Sequence, residues 1–159
     1  MSPRPLTFVA LACAMLGVWS PGRAQSADET AVRAAVQRLF DGMRSADSAM
    51  ARSVFADGAR FASVDTRTPS ASIKYDAVDG WIRAVGNSAR RWDEQIYDVQ
   101  VRIDGNIAQV WAPYTFYLDK AVRHCGVDSF SLLRDAGGWK VTQLSDTRRT
   151  DNCRDVLAK

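Results

Sequence analysis

The sequence predicts an α+β domain, a cone in which a strongly curled antiparallel sheet packs on three N-terminal helices. Two patterns and their order carry that expectation. Apolar residues recur three or four apart between residues 28 and 55, the period of an amphipathic helix. From Tyr97 onward they alternate with polar ones, between tight-turn sequences, the period of half-buried strands. Helices followed by a run of hairpins make an α+β arrangement.

Val32, Val36, Leu39, Phe40 and Met43 form one apolar stripe, predicting a helix over 28–44, with Ser26 and Glu29 spaced as a capping box. A short helix after Asp47 carries Met50, Val54 and Phe55 and ends near Asp57-Gly58. Residues 59–64 read as a first strand and 66–72, with Pro69, as a loop. Asp76 can cap a third helix whose inner face holds Val78, Trp81, Ile82 and Val85, and Gly86-Asn87 ends it. Tyr97, Val99, Val101 and Ile103 alternate with Asp98, Gln100 and Arg102. Gly105-Asn106 then turns the chain into a return strand. The register with all aliphatics on one face pairs Ile103 with Ala108, Val101 with Val110, Val99 with Ala112 and Tyr97 with Tyr114. Pro113, lacking an N–H, predicts a bulge or bend in the return strand. A second hairpin turns at residues 135–138, between Phe130 and Leu132 on one side and Trp139 and Val141 on the other.

Residues 1–24 read as a secretory signal peptide. Arg4 is the positive start, the run from Leu6 to Trp19 is uncharged, and Gly22-Arg23-Ala24 places small residues for a cut before Gln25. Acylation at Cys13 would leave too short an apolar run ahead of it. The run is also too short for a membrane anchor. Residues 25–159 form a single domain, exported to the periplasm or the medium. The signal holds two of the 21 basic residues and none of the 18 acidic ones, so the remainder is almost neutral. No basic stripe for nucleic acid is present. Two cysteines remain after processing, Cys125 and Cys153, and in an oxidising compartment they are expected to pair.

No nucleophile elbow, phosphate loop, dinucleotide fingerprint or metal-ligating pattern occurs. No cofactor and no metal is therefore expected. Most Asp residues stand in turns and caps. Asp98, Asp128 and Asp146 fall in strands, where Asp is disfavoured. Asp98 faces solvent by phase, Asp146 suits an ion pair with Arg148, and Asp128 shares a face with Phe130 and Leu132. Asp128 and His124, the one histidine, are the candidates for acid–base work. The expected pocket wall comprises Trp81, Tyr97, Tyr114, Phe116, Asp128 and Phe130.

Two groups of motifs carry a resemblance. The first is Val36-Gln37-Arg38-Leu39-Phe40-Asp41-Gly42-Met43 with Val54-Phe55-Ala56-Asp57-Gly58-Ala59-Arg60-Phe61. The second is Cys125-Gly126-Val127-Asp128-Ser129-Phe130, Gly137-Gly138-Trp139-Lys140-Val141, Asp146-Thr147-Arg148-Arg149 and Cys153. Together they resemble the nuclear-transport-factor-2-like superfamily, and within it the small exported branch labelled lumazine-binding. The resemblance implies a pocket between the concave sheet and the helices, and pairing of two copies through the outer sheet face, where Trp111 and Tyr117 are expected. In the isomerases of that superfamily a helix tyrosine and a strand aspartate do the chemistry. Here their places fall on or near Leu39 and Ser63, so that activity is not implied. The function expected is an exported domain binding an unknown small molecule or a partner, with no evident catalytic machinery. An acid–base pocket enzyme on a small apolar substrate, and a structural or dimerisation module, are the alternatives.

Overall fold

The computed structural model describes residues 21–67 and 70–158. The apolar run of the signal sequence and Cys13 lie outside the described residues. Helix α1 runs over Pro21–Arg44, α2 over Ser48–Arg52 and α3 over Val78–Gly86. The strands are β1 (Phe55–Asp65), β2 (Ser72–Ala77), β3 (Trp92–Ile96), β4 (Gln100–Asp104), β5 (Ile107–Leu118), β6 (Ala121–Asp135) and β7 (Gly138–Arg148). They form one sheet in the order β2-β1-β7-β6-β5-β3, with β4 continuing β3's place along β5. All pairs are antiparallel except β1 with β7, which run parallel.

The stripe on α1 is as expected. Val32, Val36, Leu39, Phe40 and Met43 are buried against Ala108, Val110, Ala112, Phe130, Leu132 and Val141 of the sheet. The helix begins earlier than the spacing implies, so Ser26 lies within it rather than capping it, and Glu29 pairs with Arg33 one turn on at 2.7 Å. Asp47 does cap α2, accepting from the Met50 N–H at 2.8 Å. Asp76 does not cap α3. It belongs to β2, and α3 starts after Ala77 with no side-chain cap.

The Gly105 hairpin keeps the predicted register at Ile103↔Ala108 and Val101↔Val110. Beyond it the partner strand breaks at Asp98, whose φ is 49°, and pairing resumes one residue out of step, with Ile96 rather than Tyr97 opposite Tyr114. The irregularity expected at Pro113 thus falls on the strand across from it, where the Tyr97 N–H reaches the Pro113 carbonyl at 2.9 Å. Asp98 itself is exposed and pairs with Arg154.

Cys125 and Cys153 are bonded, with Cα atoms 5.5 Å apart. Cys125 stands well inside β6, fully buried. The bridge straps the chain after β7 across the outer face of β5. There Thr115 donates to the Arg154 carbonyl at 2.6 Å, and the Tyr117 hydroxyl donates to Asp155 at 2.8 Å and accepts from the Val156 N–H. Tyr117, expected on an open pairing face, is completely buried by this tail, while Trp111 stays 51% exposed.

Pairing of β6 with β7 lapses between Asp128↔Asp146 and the Cys125↔Arg149 bridge. In that gap the Thr147 carbonyl turns in over Gly126 and accepts from the Tyr114 hydroxyl at 2.9 Å. A Cβ on Gly126 would meet that carbonyl oxygen at 1.8 Å, so only glycine fits. Gly126→Ala is expected to cost at least about 2 kcal/mol, read as a lower midpoint in denaturant unfolding. Cys153→Ser is expected to cost roughly 2–4 kcal/mol without abolishing the fold. Thiol titration of the oxidised, denatured protein should find neither cysteine free, and two reactive thiols would refute the bridge.

Candidate functional site

The sheet is longer than the stripe on α1, and the uncovered part of its concave face is hollow. A cavity of about 540 Å³ opens there. Its apolar wall includes Leu39 and Met43 of α1, Phe61 of β1, Trp81 of α3, Trp92 of β3 and Phe116 of β5. The polar wall is Ser63, Arg67, Asp76, Glu94, Arg123, His124, Asp128, Asp146 and Arg148.

Two carboxyls meet at this wall. Glu94 comes from β3, whose residues Trp92, Glu94 and Ile96 share a face. Asp128 comes from β6, in phase with Phe130 and Leu132, and is only 3% exposed. The two are close enough to share a hydrogen bond, which requires one of them to be protonated, since two ionised carboxylates carry no donor. The Asp128 Oδ2 atom is buried with no donor among the described residues, so only a proton on one of the two carboxyls can supply that bond. Burial is the main cause of the electrostatics. It raises the Glu94 pKa to about 7, against the lowering effect of the Asp128 hydrogen bond. Burial, then the neighbouring Glu94 charge, pushes Asp128 well above the usual carboxylate range. The pair therefore keeps a proton at pH values where ordinary carboxyls have lost theirs.

Asp146 lies directly across from Asp128. It is held by Arg148, whose Nε reaches it at 2.6 Å, so among the described residues no cation pairs directly with Glu94 or Asp128, and the engaged Arg148 only partly lowers the pKa of both. Tyr114 stands beneath, its hydroxyl 3.4 Å from Asp146 and its ionisation pushed far upward by burial. His124 stacks on Phe116, centroids 4.9 Å apart. Burial, helped by the charges of Arg148, Arg67 and Arg123, lowers its pKa to about 4. It is a neutral imidazole under physiological conditions, and its Nδ1 is buried without a partner among the described residues.

The structure brings Trp81, Phe116, His124 and Asp128 to the cavity. Three expected wall residues lie elsewhere. Tyr97 flanks the break before β4, under the Arg154 guanidinium at 4.8 Å. Phe130 is core, edge-on to Phe40. Tyr114 is wholly buried behind the wall. Asp146 and Arg148 form the expected ion pair and line the cavity as well. Leu39 and Ser63 both face the cavity, so the isomerase positions are occupied here by groups that cannot move a proton. Glu94 was missed because β3 was missed. The available signal was its phase, an acid in the apolar slot between Trp92 and Ile96. Among the described residues there is no cluster of three or more His, Cys, Asp or Glu arranged to hold a metal ion, and no helix is long and apolar enough to cross a membrane.

The profile of the family described as Putative lumazine-binding matches residues 27–144. The chain belongs to that family. The fold is shared with a nuclear-transport-factor-2-like protein of unknown function from Shewanella baltica OS155, at 18% identity and TM-score 0.61, covering 79% of this chain and 97% of that one. It is shared too with a structure described as a putative scytalone dehydratase from Novosphingobium aromaticivorans DSM 12444, at 9% identity and TM-score 0.65, covering 81% and 89%. A third is described as a putative dehydratase of the same superfamily from Streptomyces avermitilis, at 16% identity and TM-score 0.61, covering 79% and 98%. No functionally curated protein is similar enough to count as a relative.

Burial of Glu94 sets a pH dependence. Its carboxyl is protonated up to about 7 in the folded state and has an ordinary value of 4.5. Between those values the folded state binds more protons, so stability falls as pH rises through that window and the penalty is complete above it. Glu94→Gln removes the penalty. The variant is expected to be more stable than the parent at pH 8 by about 1 kcal/mol or more, with the advantage gone at pH 4. Parallel urea titrations at the two pH values check this.

Proposed function

We propose that this domain binds a small, largely apolar molecule and carries out proton transfer on it with the Glu94–Asp128 pair. One observation carries the reading: two carboxyls, Asp128 buried and Glu94 half-buried, meet on the wall of an aromatic-lined cavity, and among the described residues no cation forms an ion pair with either. Such a pair offers a base and an acid side by side near neutral pH. Glu94, as carboxylate, takes a proton from carbon beside a carbonyl or hydroxyl. Asp128, as carboxylic acid, donates to the oxygen where charge develops. Returning the proton to another atom is isomerisation, and losing the hydroxyl as water is dehydration. Both need only these groups and a site that excludes bulk water. The dehydratase descriptions of two structural neighbours agree with this chemistry, as analogy of fold.

Mass spectrometry of whatever copurifies with the natively folded protein identifies the ligand. Incubation of that compound with the protein in heavy water then tests proton transfer by deuterium incorporation or loss of water. Glu94→Gln and Asp128→Asn are each expected to lower the rate at least ~100-fold while the compound still binds. The parent's rate should rise with pH to a plateau above about 7, where Glu94 is ionised. Binding with neither exchange nor dehydration would leave a pure binding module and refute the catalytic half.

Export belongs to the same proposal. A cut before Gln25 removes the four leading residues of α1, Pro21 to Ala24, and leaves its apolar stripe whole. N-terminal sequencing of protein from the expected compartment should read Gln25 first. A retained residue 1 or an acylated Cys13 would refute it.

A further inference from the structure

Arg123 reaches the cavity through a fault in the sheet. Along β5 and β6 the pairs run Phe116↔His124 and then Tyr117↔Val122, so Arg123 is the extra residue of a β-bulge. In a regular strand neighbouring side chains point to opposite faces, and one of Arg123 and His124 would face outward. The bulge aims both at the cavity, and both line it. A bulge that re-aims a side chain beside a pocket is a recurrent device.

The guanidinium placed there is unspent. The two other arginines of the wall are held by carboxylates, Arg67 by Asp65 and Arg148 by Asp146. Arg123 has no ion pair or hydrogen bond among the described residues, and it is exposed at the mouth. Beside it sits the neutral His124 with its buried, unpartnered Nδ1. Arg148, Arg67 and Arg123 oppose the protonation of His124 and Asp65 favours it. With Arg67 and Arg148 each paired to a carboxylate, Arg123 is the positive charge left over at this end of the cavity. The acidic pair is at some distance. Asp128 is five residues along β6 from Arg123, roughly 16 Å on an extended strand. Asp76, the wall's other unpaired carboxylate, is on β2, with β1 and β7 between it and β6.

We propose that Arg123 is a specificity determinant, and that the molecule this cavity takes is an organic acid whose carboxylate pairs with Arg123 at the mouth. This rests on the cavity being the ligand site, and it adds the ligand's charge and orientation. The apolar body lies against Trp81, Trp92 and Phe116, and the end far from the carboxylate meets Glu94 and Asp128. A carboxylate accepts two parallel bonds from a guanidinium, which an amide of the same shape cannot do.

The matched probes 2-naphthoate and 2-naphthamide test this, with Trp81 and Trp92 as fluorescent reporters in the cavity wall. At pH 7 and low salt, naphthoate is expected to bind the parent protein at least about tenfold more tightly than naphthamide. The preference should shrink as salt rises. Arg123→Gln should remove it while leaving naphthamide binding unchanged, and Arg123→Lys should keep part of it. Equal binding of the two probes to the parent overturns the proposal and leaves the cavity standing as a neutral-ligand site. A preference that survives in Arg123→Gln overturns the role of this residue. Failure of both probes to bind overturns the proposal too. The separate titration of Glu94, read without any ligand, reports on the carboxyl pair independently of all three outcomes.

Discussion

The molecule is organised by the mismatch between α1 and the sheet it packs on. Five apolar residues of the helix cover one end of the concave face, sealing Val110, Phe130, Leu132 and Val141 beneath them. That contact supplies the main apolar burial of the domain, and burial is the dominant favourable term in folding. Yet β5, β6 and β7 continue past the stripe. A curled sheet cannot flatten to hide the remainder, and α3 with β2 bridges only its rim. The cavity is what the helix leaves uncovered, so its wall begins where the stripe ends, at Leu39, Phe40 and Met43.

Position along the strands then decides the chemistry of each inward side chain. On β6, Leu132 and Phe130 lie under the helix and are core, while Asp128 and His124 lie beyond it and meet the cavity. An ionisable group in that border zone is cut off from water without being packed against apolar neighbours on every side, the condition that shifts a pKa most usefully. Glu94 enters from β3, whose end is fixed to the helix by Arg44 reaching Asp93 at 2.9 Å. The carboxyl pair thus forms because two strands deliver acids to one patch of the same border. Arg148 offsets it only in part, because Asp146 on its own strand holds the guanidinium.

Most elements were legible in the sequence because their signals are local. The stripe on α1, the Asp47 cap, both hairpin turns and the pairing of Cys125 with Cys153 follow from spacing or count. What was not legible is where the chain breaks its own rules. The left-handed turn at Asp98 shifts the register by one, which moved Tyr97 out of the expected wall and concealed β3 with Glu94. The bulge at Arg123 is equally silent, since alternation alone places that residue outside. The hidden positions of Phe130 and Tyr114 have another cause. Phase says which face a side chain takes, but not how far along the sheet the helix covers it. Tyr117 was misjudged for the same reason on the outer face, where the covering layer is an irregular tail with no periodicity to read.

That tail matters to the site although it never touches the cavity. The outward residues Thr115, Tyr117 and Cys125 alternate with the inward Phe116 and His124 on the same two strands. Among the described residues no helix covers the outer side there, and paired strands with one bare face and one hollow face would have little to hold them. The disulfide and the bonds from Thr115 and Tyr117 supply the missing layer. They clamp β5 to β6 directly behind the bulge, so the irregular backbone that aims Arg123 and His124 inward has a rigid support on its other side. A bulge costs pairing, and it keeps one shape only where the surrounding structure over-determines it. The bridge to Cys153 is therefore as much part of the cavity's geometry as the helix stripe: one defines where the hollow begins, the other holds the wall at its mouth.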